Sequence, residues 1–202
     1  MLWPTVIVAA YLLGSIPTAY IAGRLIKGVD IRRVGDGNVG AANAYRQLGA
    51  GAGWAVGVFD AAKGTLAVVI ALAADAPQPV VLFSGAAAVA GHNWPIFLGF
   101  RGGRGESTAI GVLLAVVTKP VLVIAAPAIV AHFILRDTTK AAAFIFVPLP
   151  LVCWLLGLSG ILIAYSIALP CLVGFTHFLR TRRLGAAQRR RSQAQNTRGG
   201  KV

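Results

Sequence analysis

Long apolar runs alternate along the chain with short segments in which charged residues, glycine and proline cluster. A helix needs about 20 apolar residues to cross the roughly 30 Å hydrocarbon layer of a membrane, so these runs predict membrane-spanning helices. The fourth run holds only about 11 residues before Lys119 and Pro120, which predicts a half-helix or part of a bent hairpin. The seven predicted spans are residues 5–22, 52–74, 80–98, 108–118, 121–135, 141–156 and 161–179.

The composition agrees with a chain that lies mostly inside a lipid bilayer. Of 202 residues, 57% are hydrophobic and 12% are charged, and the mean hydropathy is +0.75. Soluble domains carry about 25% charged residues, and disordered chains have low hydrophobicity, so both classes are excluded. We predict an all-α integral membrane protein in which residues 1–184 form one compact bundle of about seven helices. Because residues 1–22 contain no Lys or Arg, we predict a retained first span rather than a signal peptide.

The charges divide the predicted connections into a basic side and a nearly neutral side. The chain has 19 Lys and Arg against 6 Asp and Glu, a formal net charge of +13. Connections 23–51, 99–107 and 136–140 lie on the basic side with the C-terminal segment, whereas the opposite side has Asp75 and Lys119. Since basic loops stay in the cytoplasm, we predict that the N-terminus is outside and the C-terminus is cytoplasmic.

The C-terminal segment predicts a membrane-surface tail. Residues 185–202 are basic and otherwise rich in Gln, Ser, Asn and Gly, so we predict a disordered cytoplasmic tail that contacts anionic lipid headgroups. Nucleic acid is not a predicted partner, because no aromatic residues are interleaved with the arginines to stack on bases. Cys153 and Cys171 lie in apolar runs and define no redox compartment. No spacing of His, Cys and carboxylates predicts a metal site.

The first chemically distinctive segment is DIRRVGDGNVGAANAYRQLG, residues 30–49. Glycines allow a backbone with positive φ to present successive N–H groups to phosphate oxygens, and Asn and Arg add directed donors. The alternative is a tight interfacial turn followed by a helix cap. The candidate anion-binding residues are Asp36, Gly37, Asn38, Asn43 and Arg46.

The second such segment is GHNWPIFLGFRGGRGESTAIG, residues 91–111, in which His92 ends a predicted span. Its glycines predict a phosphate cradle at a helix N-terminus, where unpaired N–H groups and the helix dipole favour an anion. The ending of a Walker A loop is absent. Helix capping alone is the alternative, with Glu106, Ser107 and Thr108 as capping residues. The candidates in the loop are Gly102, Gly103, Arg104 and Gly105.

Several ionisable residues lie within or at the ends of apolar runs, where transfer of a charge into the membrane costs free energy. Asp60 and Lys63 are three residues apart, and we interpret them as a structural ion pair on one helix face rather than as catalytic groups. His92, His132 and His177 lie near predicted cytoplasmic ends of spans, where each either donates to a substrate oxygen or pairs with a loop. No serine nucleophile elbow is present.

The chain resembles the bacterial acyl-phosphate:glycerol-3-phosphate acyltransferases, the PlsY family. The matching motifs occur in fixed order across nearly the whole chain: GSIPTAYIAGRL at residues 14–25, the 30–49 segment, FDAAKG at residues 59–64 and GHNWPIFLGFRGGRG at residues 91–105. The resemblance implies a seven-helix protein of the bacterial inner membrane, here expected as a monomer, with a cytoplasmic active site. It implies transfer of an acyl group from acyl phosphate to glycerol 3-phosphate, giving lysophosphatidate and phosphate, without acyl-CoA, metal or other cofactor.

The resemblance also implies roles for individual residues. Gly102, Gly103, Gly105 and Asn38 correspond to phosphate-loop residues, and Arg46 to an anion clamp. His177 corresponds to the histidine of the third family motif. The predicted catalytic residues are Arg46, Arg104 and His177. The predicted substrate-binding residues are Asp36, Gly37, Asn38, Asn43, His92, Gly102, Gly103, Gly105 and Arg180.

The chain departs from the family pattern at four of the motif positions. Asp36 replaces a serine, Arg104 a lysine and Glu106 a valine, and Arg180 stands roughly where the third motif has asparagine. A carboxylate at position 36 repels an acyl phosphate unless it is paired, so Asp36 either meets an arginine, such as Arg46, Arg104 or Arg180, or points away from the cavity. The alternative functions are a divergent, non-catalytic protein that binds anionic lipid or a phosphometabolite, and a transporter.

Overall fold

Every regular element in the described part of the chain is helical. The computed structural model describes residues 2–135 and 138–199. Its α-helices are α1 Leu2–Gly14, α2 Thr18–Lys27, α3 Ala41–Leu48, α4 Ala50–Ala73, α5 Gln78–Asn93, α6 Glu106–Val116, α7 Thr118–Leu135, α8 Thr138–Phe146, α9 Leu149–Leu155 and α10 Gly160–Gly199. Short 3-10 helices at Ile31–Arg33 and Ile96–Leu98 follow α2 and α5.

The apolar helices coincide with the seven predicted spans. Five helical stretches are long and apolar enough to cross a membrane, namely Trp3–Lys27, Ala50–Ala73, Gln78–Leu98, Thr118–Leu135 and Gly160–Leu179. Glu106–Val116 and Lys140–Leu155 are shorter apolar segments at the two remaining predicted positions. The prediction of an all-α membrane fold is confirmed, whereas the orientation of the termini stays a prediction. The helix assigned to α10 passes the predicted domain boundary at residue 184, and the division into bundle and tail also stays a prediction.

Two of the predicted spans are interrupted, and proline is the physical reason in both. The first stretch stops at Gly14 and resumes at Thr18, because Pro17 has no N–H to donate to the preceding turn. At this break the carbonyl oxygen of Ile16 accepts hydrogen bonds of 3.1 Å from the Thr18 N–H and 2.9 Å from Lys63 Nζ. The sixth span divides into α8 and α9 around Pro148.

Glycines let the central helices cross with their backbones almost in contact. Gly14 and Gly91 lie where α1 crosses α5, and Gly64 and Gly111 lie where α4 crosses α6. A Cβ at any of these four positions would collide with a backbone carbonyl of the facing helix. Since lipid supplies no hydrophobic force between helices, close packing at small residues is a main source of their association.

Five helices, α4, α5, α6, α9 and α10, form the centre of an apolar core to which Val6 of α1 and Val121 and Ile124 of α7 also belong. Its fully buried members come from all five helices: Val68, Val89, Val112, Leu113, Leu149, Leu169 and Cys153. Side chains packed to this density fix the relative positions of the helices that carry them. The core therefore sets where α5 ends and where the middle of α10 lies, and both places border the candidate site.

Candidate active site

A cavity of about 730 Å³ lies where the two glycine-rich segments meet α10. We call residues 30–40 glycine loop 1 and residues 94–105 glycine loop 2. The described residues that line the cavity come from both loops and from α10: Asp30, Arg32, Arg33, Asp36, Gly37, Asn38, Trp94, Phe100, Arg101, Gly102, Arg104, Thr176 and Leu179. The two segments that the sequence singled out therefore share one cavity.

Glycine loop 1 begins at a buried carboxylate. Asp30 Oδ1 accepts hydrogen bonds of 3.0 Å from both the backbone N–H and Nε of Arg32, and Oδ2 accepts one of 2.8 Å from Nη2. These bonds lower the pKa of Asp30 to about 2, against the desolvation that raises it. The Arg32 guanidinium also lies 5.1 Å from the centroid of the Tyr20 ring. Arg32 is therefore held in place by the protein itself.

The side-chain amide of Asn43 on α3 contacts the backbone of glycine loop 1. Its buried Nδ2 lies 3.1–3.2 Å from the carbonyl oxygens of Ile31, Val34 and Asn38. The sequence predicted a substrate contact, but these donors bind the loop's own carbonyls, and Asn43 is not among the cavity-lining residues described. The reason is steric: α3 begins directly after the loop, so the first turn of the helix faces the inside of the loop.

The turn of glycine loop 1 requires glycine at two positions. Gly35 and Gly37 have φ of +61° and +68°, a region that other residues rarely adopt. Between them, Asp36 Oδ1 accepts a hydrogen bond of 3.0 Å from the backbone N–H of Asn38. Asp36, Gly37 and Asn38 of this turn line the cavity, and their contact with a bound anion stays a prediction.

Asp36 joins the two loops electrostatically. Its Oδ2 lies 2.7 Å from Arg46 Nη2 on α3 and 3.5 Å from Arg104 Nη2 in glycine loop 2. Of the two alternatives that the sequence left open for Asp36, the structure shows the one in which it is paired with arginine. Arg104 Nε is buried and has no hydrogen-bond partner among the described residues. We call Asp36, Arg46 and Arg104 the cavity charge cluster.

The glycines of loop 2 are required mainly by close packing against the end of α5. A Cβ on Gly102 or Gly103 would collide with His92, and one on Gly103 would also lie 2.7 Å from the Val39 carbonyl oxygen of loop 1. The Gly103 N–H donates a hydrogen bond of 2.9 Å to the His92 carbonyl oxygen, so this donor is already used. Gly105, with φ of +84°, precedes α6. Gly102 alone of these three is among the lining residues described.

His92 lies in a second, buried group of charges rather than in the cavity wall. Asp60 Oδ1 is 2.8 Å from Lys63 Nζ and 3.4 Å from His92 Nδ1, and it accepts a hydrogen bond from Thr18 Oγ1. We call these four residues the buried charge cluster. The predicted Asp60–Lys63 ion pair is confirmed. His92 is not among the lining residues described for the cavity, and Gly102 and Gly103 pack against it, so its predicted substrate contact stays a prediction.

The wall contributed by α10 includes Thr176, next to the predicted His177. Thr176 Oγ1 accepts a hydrogen bond of 2.9 Å from Asn93 Nδ2 and donates one of 2.9 Å to the Leu172 carbonyl oxygen. His177 does not itself line the cavity, and its buried Nδ1 has no hydrogen-bond partner in the part of the chain described. The side chains of His132 and Arg180 lie outside the described residues.

Several lining residues were missed as site residues by the sequence reasoning. Arg32, Arg33 and Arg101 counted there only as charges that set the membrane orientation. Asp30 carried a signal, because it is one of few acids in a basic connection. Thr176 carried none, since its contact with Asn93 joins residues 83 positions apart. The described residues contain no group of three or more His, Cys, Asp or Glu that could hold a metal ion.

Known proteins resemble this chain over most of its length. The family model described as glycerol-3-phosphate acyltransferase matches residues 4–187. Glycerol-3-phosphate acyltransferase 4 of Dehalococcoides mccartyi is 51% identical over 177 residues, which are 88% of this chain and 96% of the relative. The glycerol-3-phosphate acyltransferase of Geotalea daltonii is 39% identical over 180 residues, with coverages of 88% and 91%.

Solved structures show the same fold. The crystal structure of PlsY (YgiH), an integral membrane glycerol 3-phosphate acyltransferase, in its glycerol 3-phosphate form has a TM-score of 0.81 at 32% identity. The similarity covers 93% of this chain and 94% of that chain. The lysophosphatidic acid form of PlsY has a TM-score of 0.79 at 31% identity. The residues matched by the family model, 4–187, include both glycine loops.

Proposed function

Because this chain belongs to the glycerol-3-phosphate acyltransferase family, we propose that the cavity between its glycine loops binds the phosphate groups of its substrates. The chain is an integral membrane enzyme that transfers an acyl group to glycerol 3-phosphate in phospholipid biosynthesis. The relatives favour this activity over a binding protein or a transporter. We further propose the site of the reaction, the acyl donor and the residues that bind the two substrates.

The charge and the size of the cavity support its assignment as the phosphate-binding site. Four guanidinium groups and two carboxylates line a single volume of about 730 Å³. When all six groups are ionised, the lining has a positive excess, which attracts a phosphate dianion. A cavity of this size is also in the range that encloses small-molecule ligands. The four arginines are Arg32, Arg33, Arg101 and Arg104.

The acyl donor that we propose is an acyl phosphate. The glycerol 3-phosphate hydroxyl oxygen attacks the acyl carbonyl carbon, the bond from that carbon to the phosphate oxygen breaks, and the hydroxyl proton leaves with inorganic phosphate. The products are lysophosphatidate and phosphate. Because the donor is already a mixed anhydride, alignment of the two groups supplies much of the rate, and the reaction requires neither a covalent enzyme intermediate nor a cofactor.

Arg104 and Arg46 are the catalytic cations in this proposal. Both guanidinium groups point at the cavity-lining carboxylate of Asp36, so they can also donate to phosphate oxygens at that position. Their charge stabilises the negative charge that grows on the departing phosphate. The backbone of Gly37 and Asn38 and the open face of Gly102 provide the adjoining wall.

His177 is the third catalytic residue that we propose. It follows Thr176 on α10, and its buried Nδ1 has no described hydrogen-bond partner. A substrate oxygen that reaches this nitrogen would satisfy it, and an imidazole N–H donated there would help to orient the substrate. Arg180, one turn further along α10, stays a predicted substrate-binding residue.

The membrane placement follows from the basic connections. We place the cavity at the cytoplasmic face of the bacterial inner membrane, because both glycine loops carry the arginines that the positive-inside rule retains there. The acyl chain of the donor then stays in the bilayer, while glycerol 3-phosphate arrives from the cytoplasm. We propose that the enzyme acts as a monomer and that its basic tail contacts anionic headgroups.

The test is an activity measurement on the purified protein in lipid nanodiscs. With palmitoyl phosphate and glycerol 3-phosphate, lysophosphatidate and inorganic phosphate are expected in equal amounts, and palmitoyl-CoA in place of palmitoyl phosphate is expected to give neither product. Activity with palmitoyl-CoA alone would contradict the proposed donor. Phosphate release without lysophosphatidate would contradict acyl transfer and indicate hydrolysis.

A further inference from the structure

We infer that the Asp36 carboxylate competes with the substrate phosphate for Arg46 and Arg104, and so sets how tightly the cavity binds phosphate. This inference deepens the proposed function of the cavity and rests on it. A carboxylate and a phosphate present similar oxygens to a guanidinium group. A cavity-lining carboxylate that contacts the proposed phosphate-binding cations therefore competes with phosphate for them.

The geometry places this competition on one oxygen atom. Asp36 Oδ2 contacts both arginines, at 2.7 Å from Arg46 and 3.5 Å from Arg104, and these arginines belong to different elements. The other carboxylate oxygen accepts the N–H of Asn38 within the turn. The turn thus fixes Oδ1, while Oδ2 occupies the position between the two cations.

The degree of exposure makes this contact exchangeable. The side chains of Asp36, Arg46 and Arg104 are 29%, 50% and 21% exposed, so solvent screens their attraction. Asp30 differs, because its side chain is 8% exposed and accepts three hydrogen bonds from Arg32. Of the two acids in the cavity wall, Asp36 is the one that a phosphate dianion can replace.

Arg104 provides an independent indication that a further acceptor binds here. Its Nε is buried without a hydrogen-bond partner among the described residues, although only its Nη2 faces Asp36. Buried donors are nearly always satisfied, so an unpaired guanidinium N–H beside the cavity indicates an incoming acceptor. A tetrahedral phosphate can reach Nε and Nη2 together, which the single Asp36 oxygen does not do.

The negative charge of Asp36 is expected to lower the affinity of the cavity for phosphate. Removal of the Asp36 charge relieves its repulsion of a phosphate dianion and frees both arginines, so affinity for phosphate rises. Coulomb's law for a unit charge and a dianion about 4–6 Å apart in water, screened by salt at physiological ionic strength, gives about a three- to tenfold change. The same change slows release of the phosphate product, so product inhibition becomes stronger.

The test compares Asp36→Asn with the wild-type enzyme. The amide keeps the Oδ1 acceptor for the Asn38 N–H and removes only the charge. The matched control is Asp75→Asn, which removes the same charge in the turn after α4, at a positive φ of 53° that asparagine tolerates. Asp36→Ser is a second variant that also keeps a turn acceptor.

Two readouts separate this inference from the proposed function. Calorimetry with inorganic phosphate alone measures affinity without any reaction, and steady-state assays give KM for glycerol 3-phosphate and the inhibition constant of phosphate. We expect all three constants to fall about three- to tenfold in Asp36→Asn and to move the same way in Asp36→Ser, with no change in Asp75→Asn. Unchanged or weaker phosphate binding in both Asp36 variants would overturn the inference. Tighter phosphate binding in a protein that forms no lysophosphatidate would uphold it and refute acyl transfer.

Discussion

The cavity charge cluster and the buried charge cluster share one design and differ in their surroundings. In each, a single carboxylate oxygen lies between two cationic or potentially cationic side chains. Asp60 is 1% exposed and its partners Lys63 and His92 are 6% exposed, so nothing outside the protein reaches them. The three side chains of the cavity charge cluster are all partly exposed, and two of them, Asp36 and Arg104, line the open cavity.

The contrast indicates which charges hold the protein together and which act on ligands. A buried ion stripped of its partner cannot regain water, so its partner is fixed. A partly exposed ion exchanges partners at little cost, because water and solutes replace them. The buried charge cluster therefore joins α2, α4 and α5 permanently, whereas the cavity charge cluster joins the glycine loops until a phosphate competes.

The largest effect is expected from removing one member of the buried charge cluster. Asp60→Leu leaves Lys63 without its counter-ion inside the bundle, so we expect the free energy of unfolding to fall by about 3–5 kcal/mol. Thermal unfolding of the purified protein in detergent measures this loss. Asp36→Asn, which removes the carboxylate charge of the cavity charge cluster, is expected to cost less than about 1 kcal/mol.

A double variant sharpens the same comparison. Asp60→Leu combined with Lys63→Met removes both buried charges, so it is expected to be more stable than Asp60→Leu alone. If the double variant were less stable than the single one, or if Asp36→Asn were as damaging as Asp60→Leu, the two clusters would not differ in the way we describe.

The next effect is expected in catalysis, from Arg104. Hydrogen bonds to charged groups contribute about 1.5–3 kcal/mol, so Arg104→Ala should lower kcat/KM about 10- to 100-fold. Arg104→Lys should retain part of the activity, because it keeps the charge but not the planar donor pair. The control is Lys119→Ala at the start of α7, because the whole of α6 separates this residue from glycine loop 2 along the chain. Equal losses in Arg104→Ala and Lys119→Ala would indicate only a general charge effect.

Gly103 lies where the two clusters meet, and an added methyl group there tests their connection. Gly103→Ala would place Cβ against the His92 ring and the Val39 carbonyl oxygen, a local overpacking that costs about 1–3 kcal/mol. We expect lower stability together with a higher KM for glycerol 3-phosphate. Gly51→Ala on α4, which has open space around it, should change neither. An unchanged KM in Gly103→Ala would indicate that the packing of glycine loop 2 does not affect the binding of glycerol 3-phosphate.

The smallest effect is expected at acid pH, from Asp30. Because its pKa falls from 3.8 to about 2 on folding, its ionised form stabilises the protein above pH 3.8, and this stabilisation is lost as the pH falls toward 2. Unfolding measured between pH 5 and 2.5 should therefore show a steeper loss for the wild-type protein than for Asp30→Asn. Parallel pH profiles would contradict the arrangement of Asp30 and Arg32.

The sequence predicted the elements whose signals are local. Apolar runs located the five long apolar stretches and the two shorter apolar segments, and the three-residue spacing of Asp60 and Lys63 predicted their ion pair because it is set by one helix. The repulsion argument for Asp36 left two arrangements open, and one of them, pairing with arginine, is the arrangement found. These predictions needed only helix geometry, membrane thickness and the signs of charges.

Contacts between distant segments could not be predicted in the same way. His92 and Asn43 have donors that suit a phosphate, yet their placement against Asp60 and under glycine loop 1 depends on how helices pack. Likewise, the four arginines that line the cavity differ from other basic residues only in tertiary position. Motif chemistry indicated the type of ligand, and packing decided which of the candidate donors face the cavity.

The most direct test of the account is an experimental structure of the enzyme with glycerol 3-phosphate bound. We expect the phosphate group between the two glycine loops, in contact with Arg104 and within reach of Arg46, with the Asp36 carboxylate displaced from the arginines and the Asp60 contacts unchanged. A phosphate bound elsewhere on the protein, or bound in the cavity while Asp36 keeps both arginines, would contradict the account.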